Sequence, residues 1–546
     1  MSKNLSWLSS RQGLVSSFFE QLQKGAEATG APDKAYLQQL AQSSLMGEAN
    51  TLGAASFYDF LKPENKGKKA YICNGSACLL AGQQDTVKKA LQPFFAESEI
   101  GEMTCLGRCH ENAAFHINGT NFSGTAITHL PEILKSPDQR FSGDSYASGV
   151  FAQKAVLLQP NTPLRQYYQL WKKCLAQSSE AILAEVLAAN LRGRGGAGFP
   201  IGLKLEACRQ AKGAQKYIIC NADEGDPGSY SDRFLLEEHP HAILFGMLVC
   251  GYITGADQGI LYIRGEYPEA IQKIKKAIHD FEDLAMATSY RFDFKVVKGS
   301  GSYICGEETA LISSIEGQRP EVRLRPPFPT ESGLFNCPTL VNNVETLANL
   351  HFLLENGAAA YRKLGTASSS GTKLVCLDSF FNRPGVYEVE FGTPLSTIIE
   401  QLGEGFKAPV KALHIGGPLG GLVPRDLWSQ LTLDFEAFSQ KGFQLGHGSF
   451  LSIPESFPII RYLEHLFAFT AHESCGKCFP CRLGSQRGME ILQQAQHQGD
   501  QIDRALFDDL LETLEIGSLC GLGSGLPVPV RNILTYFSEE LKPYFL

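Results

Sequence analysis

The chain has 546 residues, of which 43% are hydrophobic and 19% charged, and its formal net charge is −8. This length exceeds what one hydrophobic core serves, so we expect three or four domains. The acidic balance and the lack of a long basic run argue against a nucleic-acid partner. The 54 glycines indicate several binding loops built from backbone.

Two segments bear on export and membrane insertion. The opening residues, MSKNLSWLSSRQ, show neither the apolar core nor the cleavage site of a signal peptide. The most apolar segment, 242–256, contains three glycines and is shorter than the roughly 20 residues that a membrane span needs. We therefore expect a cytoplasmic protein without direct membrane insertion, whose fifteen cysteines are metal ligands or buried thiols rather than disulfides.

The first third of the chain predicts helices followed by a small α/β domain. Residues 1 to about 62 are predicted to be helical, because LVSSFFEQLQKG and KAYLQQLAQSSL repeat apolar residues at i, i+3 and i+4. AYICNGSAC is typical of a strand that ends at a cysteine pair, and a helix is predicted over about 86–95. AAFHINGTNFSG indicates a hairpin that turns at Asn118-Gly119.

This small domain carries the first of two spaced cysteine sets. The set consists of a C-x4-C pair and a C-x3-C pair: Cys73, Cys78, Cys105 and Cys109. Four thiolates on two neighbouring loops suit a [2Fe–2S] cluster. His110 and His116 lie nearby, but four cysteines complete such a site without the histidines of Rieske chemistry. A zinc site is the alternative.

A polar segment separates this domain from a second one. Residues 136–160 are predicted to be a linker, because SPDQRFSGDSYASG is polar and glycine-rich. Beyond it, the helix SEAILAEVLAANL is followed by strand and helix patterns that alternate to about residue 360. KYIICNA and GILYIRGEY are typical of strands, and YPEAIQKIKKAIHDF of a helix. This alternation predicts a layered α/β domain.

The second domain contains a glycine-rich loop, Gly193 to Gly198, that matches the dinucleotide fingerprint G-x-G-x-x-G only formally. The fingerprint requires a preceding strand, whereas EVLAANLR is helical, so we reject an ordinary Rossmann interpretation. Arg192 and Arg194 alternate with the glycines, and Phe199 and Lys204 follow. Glycines let backbone N–H groups approach an anionic or planar ligand, and the basic residues supply charge. A flexible inter-domain loop is the alternative.

Three further segments of this domain carry polar groups suited to a ligand. Carboxylates and an amide in 221–228 follow the strand KYIIC and suit hydroxyl-rich groups such as ribityl or ribose. The glycine-rich segment 299–308 leads to a helix N-terminus, which suits a phosphate. Prolines stiffen 325–329, and paired asparagines in 342–346 both donate and accept. Singly, each segment is also explained as a solvated turn or a helix cap; together they favour a binding site.

The rest of the chain predicts a small β-rich domain and a helical domain. KLVCLDSF, GVYEVEFG and VKALHIGG are typical of strands between residues 371 and about 433, and helical periodicity returns towards the C-terminus. The helical part encloses the second cysteine set, a C-x2-C-x2-C run with a remote fourth member: Cys475, Cys478, Cys481 and Cys520. This spacing is typical of a [4Fe–4S] cluster, with zinc as the alternative.

The other seven cysteines are expected to be mostly buried small hydrophobic residues. We assign no redox role to Cys305, although it lies in the glycine-rich segment 299–308. No serine-nucleophile or mononuclear metal motif is evident in the sequence.

Seven motifs resemble the flavoprotein subunit of NADH dehydrogenase in respiratory complex I: LRGRGGAGFP, ICNADEGDPGSY, GSYICGEETALISSIEG, RPPFP, NNVET, ESCGKC and SLCGLG. The resemblance covers about residues 160–546. Residues 1 to about 135 resemble the thioredoxin-like [2Fe–2S] subunit of the same complex. Such fusions are diaphorase subunits of soluble NAD-dependent formate dehydrogenases and NAD-reducing hydrogenases.

The resemblance is carried further by two features of the C-terminal half. The segment 416–438 is more similar to the formate dehydrogenase and complex I versions of the family than to the hydrogenase version. No further ferredoxin domain follows Cys520, which argues against a bifurcating hydrogenase. We therefore expect the β subunit of a formate dehydrogenase whose catalytic α subunit contains molybdenum or tungsten. A hydrogenase or a complex I-type iron–sulfur subunit is the alternative partner.

The family implies an α/β multidomain fold. In chain order the expected parts are a helical segment with a thioredoxin-like [2Fe–2S] domain, a linker, an α/β domain that binds FMN and NAD(H), a small β-grasp-like domain and a helical [4Fe–4S] domain: 1–135, 136–160, 161–365, 366–440 and 441–546.

The resemblance also assigns residues to cofactors. The glycine loop would line FMN, the acidic loop would contact its ribityl and ring side, and the asparagine segment its phosphate end. Aromatic residues would stack on the adenine of NADH, and Lys204 would bind the dinucleotide. Glu308 would hold ribose hydroxyls and repel a 2′-phosphate, which favours NAD over NADP. The expected contacts are Gly193, Arg194, Gly195, Gly196, Ala197, Gly198, Phe199, Lys204, Asn221, Asp223, Glu224, Asp226, Tyr303, Gly306, Glu307, Glu308, Phe328, Asn342, Asn343 and Thr346.

Two positions depart from the family pattern. Asp226 stands where the family usually has a glutamate, so the charge is kept on a shorter side chain. Leu205 and Ala207 stand where complex I has an aromatic residue after the lysine.

By resemblance, hydride moves directly between nicotinamide and flavin without a protein acid or base, and the clusters pass single electrons onward. The [2Fe–2S] cluster would be a side store or a relay.

Overall fold

The computed structural model describes Leu14, Gly143 and the ranges 17–27, 29–135, 145–159, 162–285 and 290–546. The expectation about a signal peptide concerns residues 1–12, which lie outside this set. Among the described residues, no helix is both long enough and apolar enough to cross a membrane.

In the described part of the chain, three α-helices precede the first sheet: α1 Phe18–Ala26, α2 Lys34–Ser44 and α3 Glu48–Ala55. Ser17 and Glu20 form a capping box at the start of α1, which satisfies amide groups that the first turn leaves free. The apolar face of α1 buries Phe19 and Leu22 in the core of the α/β domain, together with Ile312. The helical prediction is confirmed for these segments, and their apolar faces cover a different domain from the one that follows them in sequence.

The first sheet has the order β2-β1-β3-β4, with β1 parallel to β2 and antiparallel to β3. Its elements are β1 Ala70–Cys73, α4 Ser76–Leu80, α5 Gln84–Leu91, β2 Ile100–Met103, β3 Phe115–Ile117, β4 Thr120–Phe122 and α6 Leu130–Lys135. The predicted hairpin is confirmed: Asn118 and Gly119 both adopt positive φ between β3 and β4, as a tight hairpin turn requires.

Part of the predicted linker 136–160 is a strand, β5 Ala147–Phe151. It pairs along its whole length with a strand of the third domain, in parallel register from Ala147 opposite Gly385 to Phe151 opposite Val389. Just beyond β5, the buried Glu388 carboxylate accepts the backbone N–H groups of Val156, Leu157 and Leu158 at 2.8–3.0 Å. Backbone pairing therefore anchors a segment whose polar composition predicted no structure.

The α/β domain is built on four parallel strands: β6 Tyr217–Ala222, β7 Gln258–Ile263, β8 Asp293–Lys298 and β9 Thr339–Asn343. Its helices are α7 Leu164–Leu175, α8 Ser179–Ala189, α9 Ile201–Gln210, α10 Ser231–Glu238, α11 Pro240–Thr254, α12 Pro268–Ala285, α13 Glu308–Ile315, α14 Pro329–Ser332, α15 Val344–Asn356 and α16 Ala358–Tyr361. The strand order is β8-β7-β6-β9, so the direction of winding reverses between β6 and β9. Ligands of open α/β sheets bind at the carboxyl ends of the strands at such a point.

The third domain contains five strands and two short helices: β10 Thr372–Leu377, β11 Gly385–Glu390, α17 Leu395–Thr397, β12 Val410–Ile415, β13 Gly421–Pro424, α18 Phe435–Gln440 and β14 Ser449–Pro454. With β5 they form one sheet of order β13-β12-β14-β10-β11-β5. The first and last strands of the domain, β10 and β14, are parallel neighbours. This is the β-grasp arrangement that the family implied, and β14 carries it beyond residue 440.

The C-terminal domain is helical, as predicted. Its helices are α19 Ile459–Glu473, α20 Ser485–His497, α21 Arg504–Gly517, α22 Gly521–Ser524, α23 Pro527–Tyr536 and α24 Ser538–Leu541. Leu466, Leu492, Leu514 and Val530 from four of these helices are buried together. The second cysteine set lies at helix ends, with three members between α19 and α20 and Cys520 directly before α22.

Candidate functional site

A cavity of about 590 Å³ opens at the point where the winding of the α/β sheet reverses. It brings together all four segments that the sequence analysis selected. Fourteen of the expected cofactor contacts line it: Gly193, Gly195, Ala197, Gly198, Phe199, Lys204, Asn221, Gly306, Glu307, Glu308, Phe328, Asn342, Asn343 and Thr346. The other six, Arg194, Gly196, Asp223, Glu224, Asp226 and Tyr303, are not among the lining residues.

The glycine loop lies directly against the start of α15. The backbone N–H of Arg194 donates to Thr346 Oγ1 at 2.8 Å, and the N–H of Gly193 donates to the Phe199 carbonyl at 2.9 Å. A Cβ at Gly195 would lie 3.0 Å from Cβ of Asn343, which leaves little room for any side chain there. The loop is therefore a fixed backbone wall, and the flexible-loop alternative is not what the structure shows.

The Arg194 side chain corrects one predicted contact, because it points away from the cavity. It is fully buried, donates to Tyr361 Oη and to the Ser370 carbonyl at 2.8 Å each, and stacks 4.6 Å from the centre of the Phe391 ring. An arginine between glycines is expected at an anion site, but here the cation satisfies buried acceptors next to the third domain. It positions the loop from behind.

The cavity wall carries one buried amide donor without a partner among the described residues, Asn342 Nδ2. Both arms of Asn343 are used: Nδ2 donates to Asp232 Oδ2 at 2.5 Å, and Oδ1 accepts the Thr346 N–H at 3.3 Å. A buried donor left unsatisfied costs about 1–3 kcal/mol, so Asn342 is expected to meet an acceptor of a ligand. This orphaned amide beside a glycine wall fits a flavin mononucleotide, which offers carbonyl and phosphate acceptors.

Aromatic and charged side chains surround the mouth of the cavity. Phe199 and Phe328 are 52% and 50% exposed, which is unusual for phenylalanine and suits stacking on a planar ligand. Lys204 Nζ donates to Glu308 Oε2 at 3.1 Å and to the Val341 carbonyl at 2.7 Å. Arg325 pairs with both Glu307 and Glu308, so the acidic pair is balanced by two cations.

Six lining residues were not among the expected contacts, although Arg325 and Pro329 lie in a segment that the sequence analysis selected: Leu203, Ala207, Arg325, Pro329, Thr330 and Val341. Leu203 and Ala207 are one helical turn apart on α9, on either side of Lys204, and that spacing would have placed them on the same face. Ala207 therefore lies in the wall at one of the positions where the family has an aromatic residue. Leu205, the other departure, is fully buried.

The start of α13 does not offer the predicted phosphate site. The carboxylate of Glu307 accepts the backbone N–H groups of Thr309 and Ala310, at 2.9 Å each. These are the amides that an anion would otherwise use at a helix N-terminus. The N-terminus of this helix is therefore capped by a side chain of the protein itself, Glu307, and the phosphate site expected from the glycine-rich composition is wrong here.

The acidic loop 221–228 supports the cavity from one layer behind. Glu224 accepts the N–H groups of Asp232 and Arg233 at 3.0 and 3.1 Å and the Tyr267 hydroxyl at 3.1 Å. Burial and the nearby Asp232 carboxylate raise the pKa of Glu224 to about 7. The predicted flavin contact by this side chain is therefore corrected, because its oxygens cap α10.

Asp226 and Asp223 also lie behind the lining. Asp226 Oδ1 accepts the Tyr303 hydroxyl at 2.7 Å, which places both predicted contacts in one internal hydrogen bond. One Asp223 carboxylate oxygen is buried without a partner among the described residues, and burial raises the pKa of this group well above its usual value. Asn221 remains at the wall and donates to the Gly306 carbonyl at 2.7 Å.

The first cysteine set converges in a buried site between three domains. All four thiols are buried, and the sulfurs of Cys105 and Cys109 lie 3.7 Å apart. The acidic loop closes this site, because the Gly228 N–H donates to Cys109 Sγ at 3.2 Å. The backbone N–H of Ser379, in the third domain, donates to the Cys109 carbonyl at 3.1 Å. Four convergent thiols with an N–H···S contact fit a [2Fe–2S] cluster.

The second cysteine set lies nearer the surface. Cys475 and Cys481 are buried, whereas Cys478 and Cys520 are partly exposed. Cys520 lines a groove together with Glu307 and Arg325, which also line the cavity. This site and the cavity therefore share a wall, and the donor set fits a [4Fe–4S] cluster.

The remaining seven cysteines are free thiols, and all but Cys337 are buried. Burial raises the pKa of Cys174 to about 12 and that of Cys208 to about 11, so these side chains stay protonated at neutral pH. The prediction of buried thiols is confirmed for most of them.

Sequence profiles of three families match the chain: Nuo51 FMN-binding domain at residues 186–351, NADH-ubiquinone oxidoreductase-F iron-sulfur binding region at 461–544, and thioredoxin-like [2Fe-2S] ferredoxin at 6–137. These matches coincide with the cavity and with the two cysteine sites. They identify FMN, a [4Fe–4S] cluster and a [2Fe–2S] cluster as the cofactors.

Proteins of known name are similar to all or most of the chain. The chain is 32% identical to the NAD-reducing hydrogenase HoxS subunit alpha of Cupriavidus necator, over 93% of this chain and 88% of that protein. It is also 32% identical to the mitochondrial NADH dehydrogenase (ubiquinone) flavoprotein 1 of Dictyostelium discoideum, over 77% of this chain and 90% of the relative. A crystal structure of an NAD+-reducing [NiFe]-hydrogenase in the H2-reduced state superimposes with a TM-score of 0.86 at 28% identity, covering 97% of this chain and 92% of that one.

The expectation of a formate dehydrogenase subunit is not shown by these relatives, which are hydrogenase and complex I-type proteins. Cavity, cofactor regions and overall similarity agree on a coarser assignment. The chain belongs to the family of FMN- and iron–sulfur-containing NADH dehydrogenase (diaphorase) subunits, with a thioredoxin-like [2Fe–2S] domain fused at its N-terminal end.

Proposed function

We propose that the chain transfers a hydride between NAD(H) and FMN in the cavity and relays single electrons to or from a partner subunit through its clusters. The observation that carries this proposal is the wall shared by Glu307 and Arg325 between the cavity and the groove of Cys520. On the other side, the acidic loop runs from Asn221 at the cavity to Gly228 at Cys109. The cavity thus lies between the two cysteine sites.

Bound FMN supplies the exchange of a hydride with nicotinamide and of single electrons with an iron–sulfur centre. The chain contributes position and charge. Asn342 offers a buried donor, and the glycine loop offers a flat wall of backbone. Phe199 and Phe328 stack on the adenine, and Lys204 and Glu308 recognise the remainder of the dinucleotide. The carboxylate of Glu308 repels a 2′-phosphate, which favours NAD over NADP.

A partner is expected at an exposed apolar surface around the second cysteine set, which we call the outer cluster surface. Its members are between 41% and 76% exposed: Leu324, Phe479, Leu483, Ile516 and Leu519. Leu324 and Leu519 line the groove of Cys520, and Phe479 lies between Cys478 and Cys481. Large apolar side chains exposed in one region are typical of protein–protein contacts, so we place an iron–sulfur partner subunit there.

Two different observations bear on the identity of the partner. Segment 416–438 favours the molybdenum- or tungsten-containing α subunit of a formate dehydrogenase, and we retain this as the first candidate. The likeness to a hydrogenase subunit, over 93% of the chain, favours a nickel-containing partner as the second. The chemistry inside this chain is the same in both cases. A cytoplasmic location remains a prediction from sequence.

Two measurements test the proposal in order. The purified chain should hold FMN, and anaerobic addition of NADH should bleach the flavin absorbance near 450 nm, whereas a colourless preparation would indicate a structural protein and refute the function. The complex captured with this chain under anaerobic conditions is then analysed for metals. Molybdenum or tungsten supports formate dehydrogenase, nickel supports hydrogenase, and iron alone supports a complex I-like or free-standing NADH dehydrogenase.

A further inference from the structure

One histidine of the third domain, His447, lies behind the wall of the cavity. His447 lies between Gly446 and Gly448, which both adopt positive φ, in the turn that leads into β14. Carbonyl and Cα atoms of Gly446 lie 3.9 Å from the position of a Cβ on Gly196, so this turn packs on the glycine loop. His447 itself is only 5% exposed. The turn therefore delivers a polar ring into the interface between the α/β and β-grasp domains.

The ring faces two buried carboxylates of the α/β domain. His447 Nε2 lies 3.2 Å from Asp232 Oδ2, and Nδ1 lies 3.9 Å from Glu224 Oε1. The same Asp232 oxygen accepts Asn343 Nδ2 at 2.5 Å, and Asn343 lines the cavity. A continuous hydrogen-bonded path thus runs from the third domain through one carboxylate to the cavity wall.

The electrostatics of this cluster require a cation. Asp232 and Glu224 are 1% and 3% exposed, and a carboxylate oxygen of each lies within 4.8 Å of the other and of a His447 ring nitrogen. Two buried carboxylates this close cannot both stay ionised without a positive neighbour. The next cation, Lys373, is already paired with the equally buried Glu345. The imidazolium of His447 is therefore the positive neighbour that holds the Asp232 carboxylate in place.

We propose that His447 is a positioning residue for FMN, which holds the Asp232 carboxylate so that Asn343 keeps its orientation in the cavity wall. The ring does not touch the cavity, and it acts through Asp232. The inference rests on the FMN site of the proposed function. It adds a role for the β-grasp domain, which would otherwise only pack against the site.

The charge state of the ring gives the proposal a pH signature. The charged and titratable groups around His447 are Asp232, Glu224, Asp226 and Lys373. The Asp232 and Glu224 carboxylates outweigh burial and Lys373 and raise the pKa of His447 to about 9, above its usual 6.5. The stabilising charge is thus fully present below about pH 6.5 and is lost as the pH rises through about 9.

The test measures FMN binding to flavin-depleted protein by fluorescence titration at several pH values. Wild type should bind tightly at pH 7 and about tenfold more weakly at pH 10. His447→Gln keeps a hydrogen-bond donor without the charge, and His447→Leu keeps neither. Hydrogen-bond partners behind a metal ligand are typically worth about ten- to a hundredfold in affinity, and by analogy we expect His447→Leu to weaken FMN binding about tenfold at pH 7. His447→Gln should weaken it less. Both variants should lack the alkaline step, which is the weakening of FMN binding between pH 7 and pH 10.

His414→Gln is the matched control. His414 is a buried histidine of the same domain that shares a hydrogen bond with Tyr462 Oη at 2.7 Å, and burial lowers its pKa to about 4. The variant should bind FMN as wild type does and keep the alkaline step. The visible spectrum of the [2Fe–2S] site reports whether each variant is folded.

Several results would overturn the inference. These are wild-type binding that does not change between pH 8 and pH 10, variants at His447 that bind like wild type, or a loss shared by His414→Gln. A metal ion other than cluster iron that is present in wild type and absent from His447→Leu would show that Glu224, Asp232 and His447 bind a metal instead. Wild-type protein that binds no FMN at pH 7 would refute the proposed function itself, which keeps the two failures distinguishable.

Discussion

The two cysteine sites have the same kind of ligands and opposite surroundings. The first is enclosed: all four thiols are buried, and residues of the α/β domain and the third domain contact Cys109. The second is open, with Cys478 and Cys520 partly exposed beside the outer cluster surface. An electron carrier exchanges with a separate protein only where it lies near the surface. The difference supports the proposed exchange with a partner at the second site, and it shows that the first site lies in the interior.

Removing a ligand of the open site should have the largest effect. In Cys481→Ser the [4Fe–4S] cluster is expected to be lost, iron to fall by about two thirds, and FMN to remain bound. Electron transfer to the partner should disappear, measured as partner-linked NAD+ reduction. Cys337→Ser, at a half-buried cysteine outside both sets, is the control. Partner-linked turnover that persisted in Cys481→Ser would show that electrons leave by another route.

A charge on the outer cluster surface should weaken the partner without changing the cofactors. Ile516 is 76% exposed, and Ile516→Glu is expected to weaken association about tenfold or more, because a buried interface residue must then carry an unpaired charge. NADH oxidation with ferricyanide as acceptor should stay unchanged. Leu52→Glu, at a 56% exposed leucine of α3, is the matched control. Equal loss of association in both variants would remove the case for this surface.

Iron release should separate the two sites kinetically. With a ferrous chelator after reduction, the open [4Fe–4S] site is expected to lose iron roughly tenfold faster than the enclosed [2Fe–2S] site, because reagent access to thiolates follows exposure. The two clusters are followed by their separate electron paramagnetic resonance signals. Iron release at one common rate, or from the [2Fe–2S] site first, would contradict an enclosed [2Fe–2S] site and an open [4Fe–4S] site.

A pair of glycine substitutions tests the enclosure with the smallest change. Gly228 has φ +102°, and a Cβ there would lie 3.3 Å from Ser449 Cβ. Gly228→Ala should lower the free energy of unfolding by about 1–3 kcal/mol and alter the [2Fe–2S] spectrum, because the N–H···Sγ contact moves. Gly521→Ala, next to Cys520, meets nothing within 4 Å and should leave stability within about 1 kcal/mol of wild type. Thermal melts of both variants decide this.

The sequence predicted what depends on spacing. Both cysteine sets, the Asn118-Gly119 hairpin and the alternating strands and helices of the α/β domain are consequences of local pattern, and the structure shows each of them. The cavity was also predictable, because strand ends and glycine-rich turns in one domain meet at one edge of the sheet.

What the sequence did not predict depends on long-range partners. Glu224 and Glu307 lie in segments whose composition is typical of ligand-binding loops, yet both carboxylates cap helices. Only the fold shows which backbone N–H groups donate to them. Strand β5 shows no apolar alternation in its sequence. Its Val150 and Phe151 side chains are exposed, and the strand is held by backbone pairing with β11 instead. Arg194 is another case, because two of its acceptors, Tyr361 and Ser370, are more than 160 positions away in sequence.

Strand β5 also bears on how the protein can be divided. The chain leaves the [2Fe–2S] domain, completes the sheet of the third domain and only then enters the α/β domain. A cut at residue 160, at the family boundary, would leave the whole edge of β11 unpaired, and an open strand edge promotes aggregation. A gene split into two polypeptides should therefore be cut before residue 145, so that the larger fragment carries its own edge strand.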